Sequence, residues 1–184
     1  MQRVKKITID SATGKAKELL EVAKKATGAE LNIFTAFANA PAALEGYLGL
    51  MGALGKGKLD PKLREQLAVV TAGYNGCNYC ASAHTYLGDK AGVAKDELAQ
   101  NLEGRSSNAK TQAALTFATR LIAQRGHVSD ADVQAARIAG FSDEEIIEIL
   151  AHVAMNTFTN YFNETFKVEV DFPLVSTDRA RKAS

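Results

Sequence analysis

Between Gly76 and Tyr86 the chain reads GCNYCASAHTY, which puts both of its cysteines and one of its three histidines within eight residues. Thiols and an imidazole this close suit ligation of zinc, a structural disulfide, or a redox pair. If a helix opens at Cys77, then Cys77 and Cys80 stand at i and i+3, and His84 at i+4 from Cys80, so all three side chains share one face. Cysteines so spaced have Cα atoms roughly 5 Å apart, close enough for a disulfide with little backbone movement. One turn on, His84 can take a thiol proton directly or through a water, leaving the thiolate that is the reactive species.

A partner for that histidine precedes the turn. Glu65 and His84 would lie about 16 and about 12 Å from the Asn75-Gly76 turn if the two helices form an antiparallel hairpin. A carboxylate on His84 would hold its tautomer and support the imidazolium. Which thiol attacks stays open at this level. The helix N-terminus favours a thiolate at Cys77, and the histidine favours one at Cys80.

The other readings are weaker on physical grounds. Three ligands from one helical face converge poorly on a zinc tetrahedron, and the chain has no third cysteine. A disulfide across two intervening residues closes a tiny loop and adds little stability. Two cysteines packed as small hydrophobes are the bland alternative. A redox pair without a metal is the expectation.

The elements that must position these groups are helical nearly throughout. Alanine is abundant, only 3 prolines occur, and no long β-type alternation appears before the last residues. Asp60-Pro61 reads as an N-cap with proline at the first helical position. Ser129 with Asp132 resembles a capping arrangement, and Ser142 with Glu145 is a full capping box. Gly28, Asn75-Gly76, Gly92, Gly104, Gly126 and Gly140 read as stops. The pattern predicts helices over 12–27, 32–40, 41–54, 61–74, 77–91, 94–103, 107–125, 129–139 and 143–166. The short connections make this one compact all-α domain over residues 1–175. Residues 167–174, KVEVDFPL, read as extended, and 176–184 as a frayed tail.

Composition excludes several classes. With 22 basic and 21 acidic residues the net charge is +1, which argues against nucleic-acid binding. No apolar run reaches the length of a membrane span, and the start, MQRVKKITIDSATGK, has no apolar segment of a secretory signal. A cytoplasmic location is the default, where a CxxC pair is reduced at rest. LNIFTAFANAPAALEGYLGLMGAL and IIEILAHVAMNTFTNYF are apolar around most of the helix, so a homo-oligomer is expected to bury them.

The constellation Glu65, Cys77, Cys80 and His84, spaced E-x11-C-x2-C-x3-H, resembles the signature of the AhpD-like alkylhydroperoxidases, of the carboxymuconolactone decarboxylase superfamily. The likeness is densest over Leu63–Gly92, and helical flanks such as AHVAMNTFTNYFN extend it over most of the chain. It implies an all-α, cofactor-free two-cysteine peroxidase, assembled as a trimer or hexamer, in antioxidant defence. In that scheme Cys80 attacks a hydroperoxide and becomes a sulfenic acid. Cys77 condenses with it to a disulfide. His84 relays the proton with Glu65 behind it, and an external dithiol or redox protein restores the thiols. One position departs: well-described peroxidases of the family carry a histidine just before the second cysteine, and here it is Tyr79, which is no base near neutral pH. The decarboxylase branch lacks the CxxC pair, so that activity is not carried over.

Two alternatives remain on the sequence: a thiol–disulfide oxidoreductase with little peroxidase activity, and a non-enzymatic redox-responsive oligomeric module. Among the other polar residues, His152 reads as a core or interface histidine unless its helix packs on the cysteine helix. His127 reads as a loop or cap residue. Tyr74 and Tyr86 read as packing residues that could wall the site. Arg64 and Gln66, flanking Glu65, point elsewhere by helix geometry. No nucleotide- or flavin-binding motif is present, so electrons are expected from a partner.

Overall fold

The computed structural model describes residues 2–178. Helices α1 (Gly14–Thr27), α2 (Asn32–Phe37) and α3 (Pro41–Leu54) lead into α4 (Pro61–Asn75) and α5 (Asn78–Lys90). These are followed by α6 (Lys95–Leu102), α7 (Ala109–Ala123), α8 (Asp130–Ile138) and the long α9 (Asp143–Phe166). There is no strand among the described residues. The helix starts follow their caps. The Asp60 carboxylate accepts from Lys62 N at 2.8 Å beside Pro61. Ser129 with Asp132 and Ser142 with Glu145 both form reciprocal capping boxes, each satisfying two backbone N–H groups that the helix leaves unpaired.

α4 is the central helix. Leu63 and the run Gln66–Gly73 are buried, because one side packs on the α1–α3 and α5 core and the other on a core from α7, α8 and α9. Gly73 allows α6 to approach: a Cβ there would stand 2.1 Å from the Leu102 carbonyl oxygen. At one end of α4, Leu59 N donates to Glu148 at 3.0 Å. At the other, Asn75 Nδ2 donates to Asn160 Oδ1 at 2.9 Å. α4 and α9 therefore run side by side in the same direction, and α5 turns back against α4.

Residues 168–177, most of which the sequence reads as extended, form a strap without strand pairing. Its polar atoms bond to helices instead of to a neighbouring strand. Val175 N donates to Ser82 Oγ at 2.8 Å, and Thr177 donates twice to Asn78 Oδ1, at 2.9 and 2.8 Å. Thr177 is buried, so the stretch expected to fray from 176 onward is anchored as far as these bonds reach. Its remainder, 179–184, lies outside the described residues. Among the described residues no helix is long and apolar enough to cross a membrane. α9 presents Ile147, Leu150, Phe158 and Tyr161 on its exposed side, and α3 buries only Leu44 and Leu48 fully.

Candidate active site

The α4–α5 hairpin turns on Gly76, whose φ of 71° and ψ of 31° suit a residue without a Cβ. Cys77 N continues the turn by donating to Ala72 O at 3.0 Å. Cys77 is not the first helical residue but the N-cap of α5, in an extended conformation. That geometry swings its sulfur back over the first turn, where it accepts from Cys80 N at 3.3 Å, the part a serine or aspartate oxygen usually takes. The two sulfurs, both free, stand 2.8 Å apart, with the Cys77 thiol donating to Cys80.

Cys80 collects further donors. Asn163 Nδ2, from α9, reaches its sulfur at 3.2 Å. Burial pushes the Cys80 thiol up. The Cys77 thiol, the His84 charge and the amides of Asn163 and Asn160 outweigh it and bring the pKa down to about 7. Cys77 goes the opposite way: the hydrogen bond it gives Cys80 and its burial both hold its proton on. Cys80 is thus the sulfur of the pair that gives up its proton more readily. One turn along α5, His84 Nδ1 meets Glu65 Oε2 at 2.8 Å, as a hairpin of this length requires. Burial lowers the imidazole pKa, but the Glu65 charge and hydrogen bond raise it by more, with Cys80 adding to them. A carboxylate-backed histidine one turn from a thiol of lowered pKa is an arrangement that can activate that thiol.

A cavity of about 370 Å³ opens onto this group. Its wall takes Cys80, His84 and Glu65 together with Leu31, Phe34, Tyr47, Met51, Leu87 and Phe172; Cys77, wholly buried, sits behind Cys80 and forms no part of it. Tyr79 also faces the cavity, but its hydroxyl donates to Asp171 Oδ2 at 2.6 Å. The same oxygen accepts from Asn32 N at 3.0 Å. Burial and the Asp171 carboxylate push the phenol pKa up, so Tyr79 ties the strap to α5 and keeps its proton. Among the described residues no group of three or more His, Cys, Asp or Glu side chains is arranged to hold a metal ion.

Several residues lie where local geometry did not put them. Arg64, expected to point away, reaches the cavity wall, its Nη1 donating to Leu54 O at 3.2 Å and Gly55 O at 2.8 Å. Its long side chain bends toward the α3–α4 connection, which the helical wheel does not encode. Gln66 does turn away, bonding Asn101 Oδ1 at 2.9 Å. His152 is buried as a core histidine would be, yet it lines the cavity, because α9 packs on α5 as well as α4. Tyr74 and Tyr86 are partly exposed and lie outside the wall, Tyr86 packing against Phe172. His127 sits in the turn after α7, its N–H on Gln124 O. The sequence reading missed Asn160 and Asn163. The available signal was a row of amides, Asn156, Asn160 and Asn163, at helical spacing inside an apolar helix.

Comparison with known proteins matches residues 40–124 to the carboxymuconolactone decarboxylase family. No curated protein matches the sequence significantly. Among solved structures, an AhpD-core alkylhydroperoxidase, a peroxidase-related protein from Ralstonia eutropha, is 24% identical with a TM-score of 0.81, covering 92% of each chain. A peroxidase-related protein from Silicibacter is 20% identical with a TM-score of 0.77, covering 92% of this chain and 94% of the other. The debrominase Bmp8, solved with 2,3,4-tribromopyrrole, is 20% identical with a TM-score of 0.72, covering 92% and 89%. Identities at this level speak for a shared fold.

Proposed function

We propose that the chain is an AhpD-like member of the carboxymuconolactone decarboxylase superfamily, as the match over residues 40–124 and the shared fold support, and that it is a cofactor-free, two-cysteine thiol peroxidase acting on organic hydroperoxides. One observation carries this reading: of two sulfurs 2.8 Å apart, only the thiolate-forming Cys80 faces the cavity. In the proposed cycle His84 takes the Cys80 proton and holds it against Glu65. The thiolate attacks the terminal peroxide oxygen; an S–O bond forms, the O–O bond breaks, and the alkoxide leaves. His84 returns its proton to give the alcohol, so Cys80 is oxidised to sulfenic acid and the peroxide is reduced. The Cys77 sulfur then displaces hydroxide from the sulfenic acid; with the thiol's own proton it leaves as water, and a disulfide remains. An external dithiol reduces the disulfide by exchange, itself becoming a disulfide. A reducing compartment such as the cytoplasm suits this cycle. The exposed apolar row on α9 supports assembly into a homo-oligomer, a trimer or hexamer.

Mass spectrometry after one equivalent of cumene hydroperoxide tests the scheme. The expected product is an intramolecular Cys77–Cys80 disulfide, with sulfenic acid trapped on Cys80 in Cys77→Ser. Trapping on Cys77 in Cys80→Ser, with none on Cys80, reverses the roles, and no oxidation faster than that of free cysteine removes the activity.

A second reading has one observation in its favour. The cavity is mostly apolar and aromatic, and a neighbour of the same fold is a debrominase solved with a brominated pyrrole. Bromide release from 2,3,4-tribromopyrrole by the reduced protein, in place of peroxide reduction, would select it. Exchange with protein dithiols as the main activity has less in its favour: Cys77 is wholly buried and Cys80 is reached only through the cavity, which admits a small dithiol for recycling more readily than a protein surface.

A further inference from the structure

The cavity has a second polar end. Its α9 wall descends from Asn163, on the Cys80 sulfur, through Thr159 and Asn156 to His152. At helical rise, residues 163 and 152 are about 16 Å apart along the axis. His152 is only 4% exposed, and its Nε2 has no hydrogen-bond partner among the described residues. Buried polar atoms in folded proteins are almost always paired, so an unpaired one in a cavity wall points to something the cavity receives.

The surroundings define its chemistry. Arg64 and Glu65 of α4, His84 of α5 and Glu148 of α9 are the charged or titratable groups acting on His152. Glu65 is taken by His84, and Glu148 by the N–H groups of Lys58 and Leu59. Burial and the Arg64 charge hold the imidazole below its usual pKa, so it is neutral and carries one N–H. Arg64 spends Nη1 on two backbone carbonyls, and no carboxylate forms an ion pair with it among the described residues. With the imidazole proton on the unpaired Nε2, this nitrogen and a guanidinium with donors to spare together match a group that only accepts, and a carboxylate is such a group.

We propose that His152 and Arg64 form a carboxylate subsite at the end of the cavity remote from Cys80. The substrate is then an elongated organic acid: an apolar body against Phe34, Met51 and Leu87, its carboxylate on His152 and Arg64, its reacting group at Cys80. This assignment rests on the reading of Cys80 as the group that meets substrate.

Isothermal titration of the reduced wild-type protein with decanoate and with decanol tests it. Decanoate is expected to bind at least tenfold more tightly than decanol. The preference should collapse in Arg64→Gln and in His152→Leu, and persist in part in Arg64→Lys. Equal binding of acid and alcohol to the wild type overturns the subsite, as does a preference that survives in Arg64→Gln. Neither ligand carries a peroxide, so a failed peroxidase assay leaves this comparison intact.

Discussion

Asn163, near the end of α9, donates its side-chain amide to the sulfur of Cys80 at 3.2 Å, across a separation of 83 residues in sequence. This contact joins the last helix of the chain to the Cys80 thiol. It helps explain why burial, which alone would raise the Cys80 pKa, does not prevail. Hydrogen bonds to the charged form favour that form.

Replacing Asn163 with leucine should therefore raise the Cys80 pKa. A hydrogen bond to an ion contributes about 1.5–3 kcal/mol, and one pKa unit corresponds to about 1.4 kcal/mol, so the shift should be about one unit or more. In the wild type, alkylation of Cys80 by iodoacetamide should climb through a midpoint at about pH 7 and level off above it. In Asn163→Leu the midpoint moves up and the rate at pH 7 drops several-fold. An unmoved midpoint would show that the contact does not act on the thiolate.

In the proposed relay Glu65 acts on Cys80 through His84. Glu65→Gln keeps the hydrogen bond but removes the charge that raises the imidazole pKa. The histidine pKa then falls, less imidazolium faces the sulfur at neutral pH, and the Cys80 pKa rises. General acid–base contributions are about 100-fold or more. Stopped-flow oxidation by hydroperoxide at pH 7 should thus slow by about 10- to 100-fold, recovering partly toward higher pH where the thiolate forms without help. A rate within twofold of wild type would remove Glu65 from the proposed relay.

Tyr79→Phe separates the strap from the chemistry. The hydroxyl lost is the one bonded to Asp171, whose carboxylate then keeps its hydrogen bond from Asn32 N. Asp171 is exposed, so water can replace the lost donor, and the cost is that of an ordinary hydrogen bond, about 0.5–1.5 kcal/mol; the melting temperature should fall by a few degrees. The midpoint of Cys80 alkylation should stay in place, because the phenol makes no hydrogen bond to the sulfur. A midpoint that moves with the melting temperature would make Tyr79 part of the proton relay after all.

Much of the architecture was legible because its causes are local. The N-cap at Asp60, the capping boxes at Ser129 and Ser142, and the glycine stops lie within a few residues of the ends they set, and the helices fall where they indicate. The strap after α9 was not legible as a strap, because its hydrogen bonds go to Asn78 and Ser82, which nothing in KVEVDFPL encodes.

The same division runs through the candidate site. The sequence by itself determined that two thiols and an imidazole share a helical face, and that Glu65 is within reach of His84, since helical periodicity and a turn of known position are short-range facts. It left open which sulfur would be the thiolate. Only the tertiary structure sets the two sulfurs apart: it puts Cys77 at the N-cap behind Cys80, brings the Asn163 amide to Cys80, and opens the cavity on that sulfur alone. It also carried Arg64 and His152 to the cavity wall, against the plainest reading of their helices. The physical reason is that a thiol pKa and a cavity wall depend on which groups from distant segments surround a point, and packing, not periodicity, selects them.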